Sequence, residues 1–186
     1  MSRRATPATE AIRGMRDVLF THATDYDAAR REFAWPDLTA FNFALEWFDV
    51  VAGENPDRPA VQIVEADLSL RSWTYGELSA RSDQVAAWLR SLGIGRGDHV
   101  IVMLNNTIEL WEVMLAITKL GAVSIPTSTL LSASDLAYRI EHGRAGAVVT
   151  LGALADRLEG IDPAVLRIGV GASLPADWKR FTDADA

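Results

Sequence analysis

The chain holds 186 residues with a formal net charge of −7, a size suited to one domain or to one large piece of a bigger one. An acidic balance with its basic residues scattered excludes a non-specific nucleic-acid binder, which needs a basic face to displace counterions from phosphates. The absence of cysteine excludes a disulfide framework and any thiolate metal site, so the default location is cytoplasmic.

The opening Met1-Ser2-Arg3-Arg4-Ala5-Thr6-Pro7 is basic but runs into charged residues, not the apolar core of a signal peptide. From about Glu10 to Phe33 charges of both signs surround Ile12, Met15, Leu19 and Phe20, which predicts one or two surface helices ended by Trp35-Pro36-Asp37. Phe41, Ala44, Leu45, Phe48, Val51 and Ala52 recur at helical spacing, and that helix should stop before Asn55-Pro56, because the residue before proline avoids the helical region. Ala60–Val64 and Leu68–Trp73 read as a hairpin around Glu65-Ala66-Asp67.

Strand and helix alternate from there. Thr74 with Glu77 forms a capping box, opening a helix that turns Leu78, Val85, Leu89 and Leu92 inward and ends where Gly93 supplies a left-handed cap. Val100–Leu104 is a short apolar run, as in a strand covered on both faces. Asn106 with Glu109 repeats the cap before a helix through Trp111, Met114, Leu115 and Ile117 to Gly121. Ala122–Ile125 is a strand, Ser132 with Asp135 caps a third helix reaching Gly143, and Ala147–Leu151 and Val165–Val170 are further strands. No stretch is long and apolar enough to span a membrane, and the polar tail Thr182–Ala186 is of low complexity. The fold class is therefore α/β, a mostly parallel sheet with flanking helices joined by right-handed crossovers. An N-terminal helical extension over residues 1–40 precedes this α/β part, residues 41–186.

Two segments, Trp73-Thr74-Tyr75-Gly76-Glu77-Leu78 and Lys119-Leu120-Gly121-Ala122-Val123-Ser124-Ile125-Pro126, are linked by Leu92-Gly93-Ile94-Gly95-Arg96-Gly97-Asp98-His99-Val100. Each segment has a complete structural explanation in caps, a helix stop and a buried strand. Their order and separation also resemble the opening third of the adenylate-forming enzymes. Phe41-Asn42-Phe43-Ala44 with Phe48-Asp49, and Pro126–Leu131 followed by Ser134–Arg139, resemble the acyl-CoA synthetases that activate medium-chain or related acids. The resemblance implies a ligase in which a carboxylate attacks ATP, pyrophosphate leaves, and the CoA thiol then displaces AMP from the acyl-adenylate. It implies ATP, Mg2+ and CoA as cofactors of a parent enzyme, with the remaining synthetase domains and a small carboxylic acid as partners. A homo-oligomer is compatible with it.

A phosphate loop needs consecutive glycines that turn N–H groups toward the anion, usually closed by a lysine. The lysines are Lys119 and Lys179, and neither follows a glycine-rich run. Gly169 and Gly171 alternate after a strand without a third glycine or a lysine, which reads as a strand end and turn. In the resembled family that loop, the metal-binding glutamate and the catalytic lysine all lie downstream. No catalytic or metal-ligating residue is therefore assigned, and the 186 residues alone are expected to be inactive. Arg157 is the one cofactor-binding candidate: the resemblance brings its segment toward the CoA nucleotide, and a planar guanidinium donates to phosphate in pairs. The alternative for Arg157 is a solvated helix residue beside Asp156 and Glu159. His22, His99 and His142 lack metal-ligand spacing, Ser124 and Ser173 lack a nucleophile-elbow pattern, and Asp25, Asp27, Glu46 and Asp49 read as exposed helix charges. Trp35, Trp47 and Trp111 are expected where this piece meets further structure. A different class of function also fits, a non-catalytic module that docks a separate synthetase half through an exposed apolar patch. A standalone nucleotide-binding protein fits the alternating strands but lacks a phosphate motif.

Overall fold

The computed structural model describes residues 4–185. Helix α1 (Pro7–Thr21) starts with proline at its first position, behind a reciprocal cap between Thr6 and Thr9. Helix α2 (Tyr26–Glu32) is capped by the Asp25 side chain, so Asp25 is exposed as expected and has a local task. The helix expected from Phe41 begins instead as a π-helical segment, Phe43–Phe48, and continues as α3 (Asp49–Glu54), stopping just before Asn55-Pro56.

Strands β1 (Pro59–Val64) and β2 (Leu70–Thr74) form the expected antiparallel hairpin. Its turn is longer than the sequence suggested. Leu68 takes a left-handed φ of 67° and leaves β2 to begin at Leu70, while Ser69 N–H is held by Asp67 Oδ1 at 3.0 Å. Helix α4 (Tyr75–Ser91) opens on the Thr74–Glu77 capping box, with both reciprocal bonds present. Gly76 has a steric role there: its N–H donates to Pro56 O at 2.9 Å, and an added Cβ would sit 3.1 Å from that oxygen.

Strands β3 (His99–Met103), β4 (Val123–Pro126), β5 (Ala145–Leu151), β6 (Leu166–Val170) and β7 (Lys179–Arg180) make one parallel sheet in the order β4-β3-β5-β6-β7. Helix α5 (Ile108–Leu120) joins β3 to β4, and α6 (Ala133–His142) carries the chain back past β3 to β5. Alternate residues of β3 face opposite layers. Val100 and Val102 pack with Val85, Leu89, Val113 and Ile117 of α4 and α5, whereas Ile101 and Met103 pack with Leu136 and Ile140 of α6. Burying a side chain such as Leu89 or Ile101 contributes about 1.5–3 kcal/mol, and these two layers hold the sheet.

Two expectations turn out differently, one cap and the tail. The residue before α5 is Thr107, whose side chain makes no capping bond, because Asn106 Oδ1 instead accepts from Trp111 Nε1 at 3.4 Å. The tail is not loose polar sequence: Phe181–Asp185 forms a 3-10 turn whose Phe181 and Ala184 are buried against the α4–α5 layer. A second 3-10 segment, Gly152–Leu158, follows β5.

Candidate functional site

In an open parallel sheet, ligand crevices form at the carboxyl ends of strands where neighbouring connections leave on opposite faces. That point lies at β3 here. After β3 the chain passes to the α5 layer, while after β4 and β5 it passes to the α6 layer. The loops meeting there are polar: Asn105-Asn106-Thr107 after β3 and Thr127-Ser128-Thr129 after β4. Thr127 N–H continues the ladder onto Val102 O at 2.9 Å, and Thr129 Oγ1 donates to Asn105 Oδ1 at 3.1 Å. Thr150, wholly buried, donates to Met103 O at 3.1 Å.

Arg157 comes to this edge from the 3-10 segment after β5. Its Nη1 donates to the carbonyls of Thr129 and Leu131, the latter at 2.8 Å, so it clamps the loop before α6. Among the described residues it has no ion pair with Asp156 or Glu159. Beside the same loop, a cavity of about 430 Å³ is lined by Ile125, Leu131, Tyr138 and His142, with the last two rings stacked at 5.4 Å.

The remaining sequence candidates do not converge on this edge. His22 pairs with Glu32 at 2.8 Å, His99 Nδ1 lies 2.5 Å from Gly143 O, and no group of three or more His, Asp or Glu among the described residues could hold a metal ion. Glu46 is half-buried, its carboxylate taking the Thr6 hydroxyl at 2.8 Å and Asn42 N–H at 2.7 Å. Asp49 departs furthest from its expected exposure. It is 3% exposed, and Oδ1 accepts from Lys119 Nζ at 2.9 Å and Ser79 Oγ at 2.7 Å. Lys119 donates also to Asp83 at 2.8 Å and to Ser79 O at 3.1 Å, so its three protons are used. Sequence reasoning missed this cluster because Lys119 and Asp49 are 70 positions apart; the signal in the sequence was a lysine among the apolar residues of the last turns of α5.

Glu112 is buried beside Arg81, whose Nε donates to it at 3.1 Å. Burial pushes its carboxyl above the usual glutamate range; Arg81 opposes that shift, and Glu109 and Asp185 add to it. Trp35 is 77% and Trp111 41% exposed, whereas Trp47 is half-buried with Arg16 5.6 Å from its ring centroid.

The described residues thus present hydrogen-bonding groups and one clamped loop, with no nucleophile–base pair and no phosphate loop. A triphosphate with Mg2+ does not fit this residue set. Residues 48–183 match the AMP-binding enzyme family. The chain belongs to that family. Among similar proteins, the family member named as an uncharacterized acyl-CoA ligase, YtcI, from Bacillus subtilis is 38% identical over 125 residues, 61% of this chain and 24% of that protein. Human mitochondrial acyl-coenzyme A synthetase ACSM5 is 34% identical over 127 residues, 65% of this chain and 22% of that protein. A crystal structure of an acyl-CoA synthetase from Brucella canis superposes with a TM-score of 0.76 at 28% identity, covering 86% of this chain and 31% of the other. The chain thus spans about a quarter of the length of these curated relatives. Its parallel sheet with flanking helices is the fold of this AMP-binding architecture. Among the described residues no helix is long and apolar enough to cross a membrane.

Proposed function

We propose that residues 41–186 are the N-terminal scaffold of an ATP-dependent acyl-CoA synthetase that converts a medium-chain or related carboxylic acid to its CoA thioester through an acyl-adenylate. The family match over residues 48–183 supports this reading, together with relatives named as acyl-CoA ligases and synthetases. ATP, Mg2+ and CoA are cofactors of the parent enzyme, and a cytoplasmic location belongs to the same proposal. What these residues contribute is a rigid sheet whose carboxyl edge carries the Thr127–Leu131 loop. A role for Arg157 at a CoA phosphate is proposed from the resemblance of its segment and from its chemical type, and would use the donors that its Nη1 clamp leaves over. These residues supply no group to activate a carboxylate, so in isolation they form no adenylate.

The test is thioester formation by the parent synthetase with ATP, CoA and a series of straight-chain and aromatic acids, read by mass spectrometry. ATP-dependent acyl-CoA with at least one acid of this class supports the reading, and the absence of any thioester across the series overturns it. The docking module draws on a specific feature. Leu19, Phe20, Tyr26, Trp35 and Phe43 are all exposed and lie before the family match begins.

A further inference from the structure

Arg81, on α4, holds groups on two other elements. Its Nε donates to Glu112 Oε2 on α5 at 3.1 Å. Its Nη1 donates to Ala184 O at 3.1 Å and pairs with Asp185 Oδ1 at 2.6 Å, and its guanidinium carbon lies 5.7 Å from the centroid of the Phe181 ring. A guanidinium keeps its charge throughout the accessible pH range and offers donors in a fixed fork, so it fixes the direction of its partners as well as their distance. The segment it holds has little other anchorage from the sheet. Strand β7 pairs with β6 only through Ile168 with Lys179 and Gly169 with Arg180, and the chain then turns onto the α4–α5 layer, where Phe181 meets Trp88 edge-on at 6.1 Å.

We propose that Arg81 is a positioning residue for the adenylation step: it fixes the course of the Phe181–Asp185 turn after β7 on the α4–α5 layer, and with it the placement of the phosphate loop that the synthetase reading expects beyond. It does this without touching ATP or acid. The inference rests on the synthetase reading above. Misplacing reacting groups by about 1 Å can cost about a hundredfold in rate, so a loosened exit is enough to matter.

The experiment compares the parent synthetase with its Arg81→Lys and Asp185→Asn variants. Lysine keeps a cation beside buried Glu112 while losing the fork, and the Asp185 side chain is 61% exposed, so neither change strands a buried charge. Both variants should lower kcat for acid-dependent ATP–pyrophosphate exchange by about tenfold while leaving KM for the acid within about twofold. Amide exchange in residues 181–185 should quicken with the unfolding temperature unchanged. Undiminished kcat, or a loss of kcat that follows only a lowered unfolding temperature, overturns the proposal. If the wild-type parent shows no acid-dependent exchange, the synthetase reading falls, and the amide exchange of the same variants still decides whether Arg81 holds the turn: unchanged protection of residues 181–185 overturns it.

Discussion

Lys119 and Asp49 are each less than a tenth exposed, and removing the cation of a buried ion pair takes away the carboxylate's counter-charge. Lys119→Met should therefore destabilise the chain by about 3 kcal/mol in urea unfolding, although methionine matches the helix and its volume. A change within experimental error would show that Asp49 is compensated without the lysine. Glu112 provides a test with a defined sign. Its carboxyl holds a proton more tightly in the folded chain than in the unfolded one, so over the range just above the ordinary glutamate value the folded state binds more protons, and stability falls as pH rises through that window. Glu112→Gln removes this dependence. The stability of the variant relative to wild type should increase from mildly acidic to neutral pH, and a constant difference would refute the assignment. These charges explain a limit of sequence reading at this scale: a carboxylate on a short helix looks solvated unless its partner, here 70 positions away at Lys119, is known.

Elements were more legible than residues, since their signals are local. The Thr74–Glu77 box, the Ser132 cap and the left-handed Gly93 and Gly121 all bound their helices as the sequence indicates. Thr74→Ala should cost about 1 kcal/mol in unfolding free energy, the usual loss for an N-cap. Where the signals failed, a distant group had taken a local residue for another purpose. Asn106 receives the Trp111 indole and so does not cap α5, and the turn after β7 is met by Arg81 at Ala184 O and Asp185, which no pattern in Lys179–Ala186 announces. The same logic applies to Arg157, whose contacts cross 26 and 28 positions to Leu131 and Thr129. Arg157→Ala should quicken amide exchange in residues 127–132 while leaving β5 protected, and unchanged exchange there would show the clamp to be dispensable.

At the scale of the whole molecule, alternating caps and apolar strands indicated a parallel α/β sheet, and the two spaced landmark segments indicated the family that the match over residues 48–183 shows. Strand order was not legible, because the return of α6 past β3 is decided by which faces of β3, β4 and β5 need covering. The site was the least legible part: the described residues form the edge of a crevice, and the groups that would carry out adenylation are expected elsewhere in the parent. The measurement that bears most directly on the account is acid-dependent ATP–pyrophosphate exchange by the purified 186-residue chain, alone and joined to the remaining synthetase domains. No exchange is expected from the chain alone and exchange from the joined protein; exchange by the chain alone, or none from the joined protein with any acid, would contradict the synthetase reading.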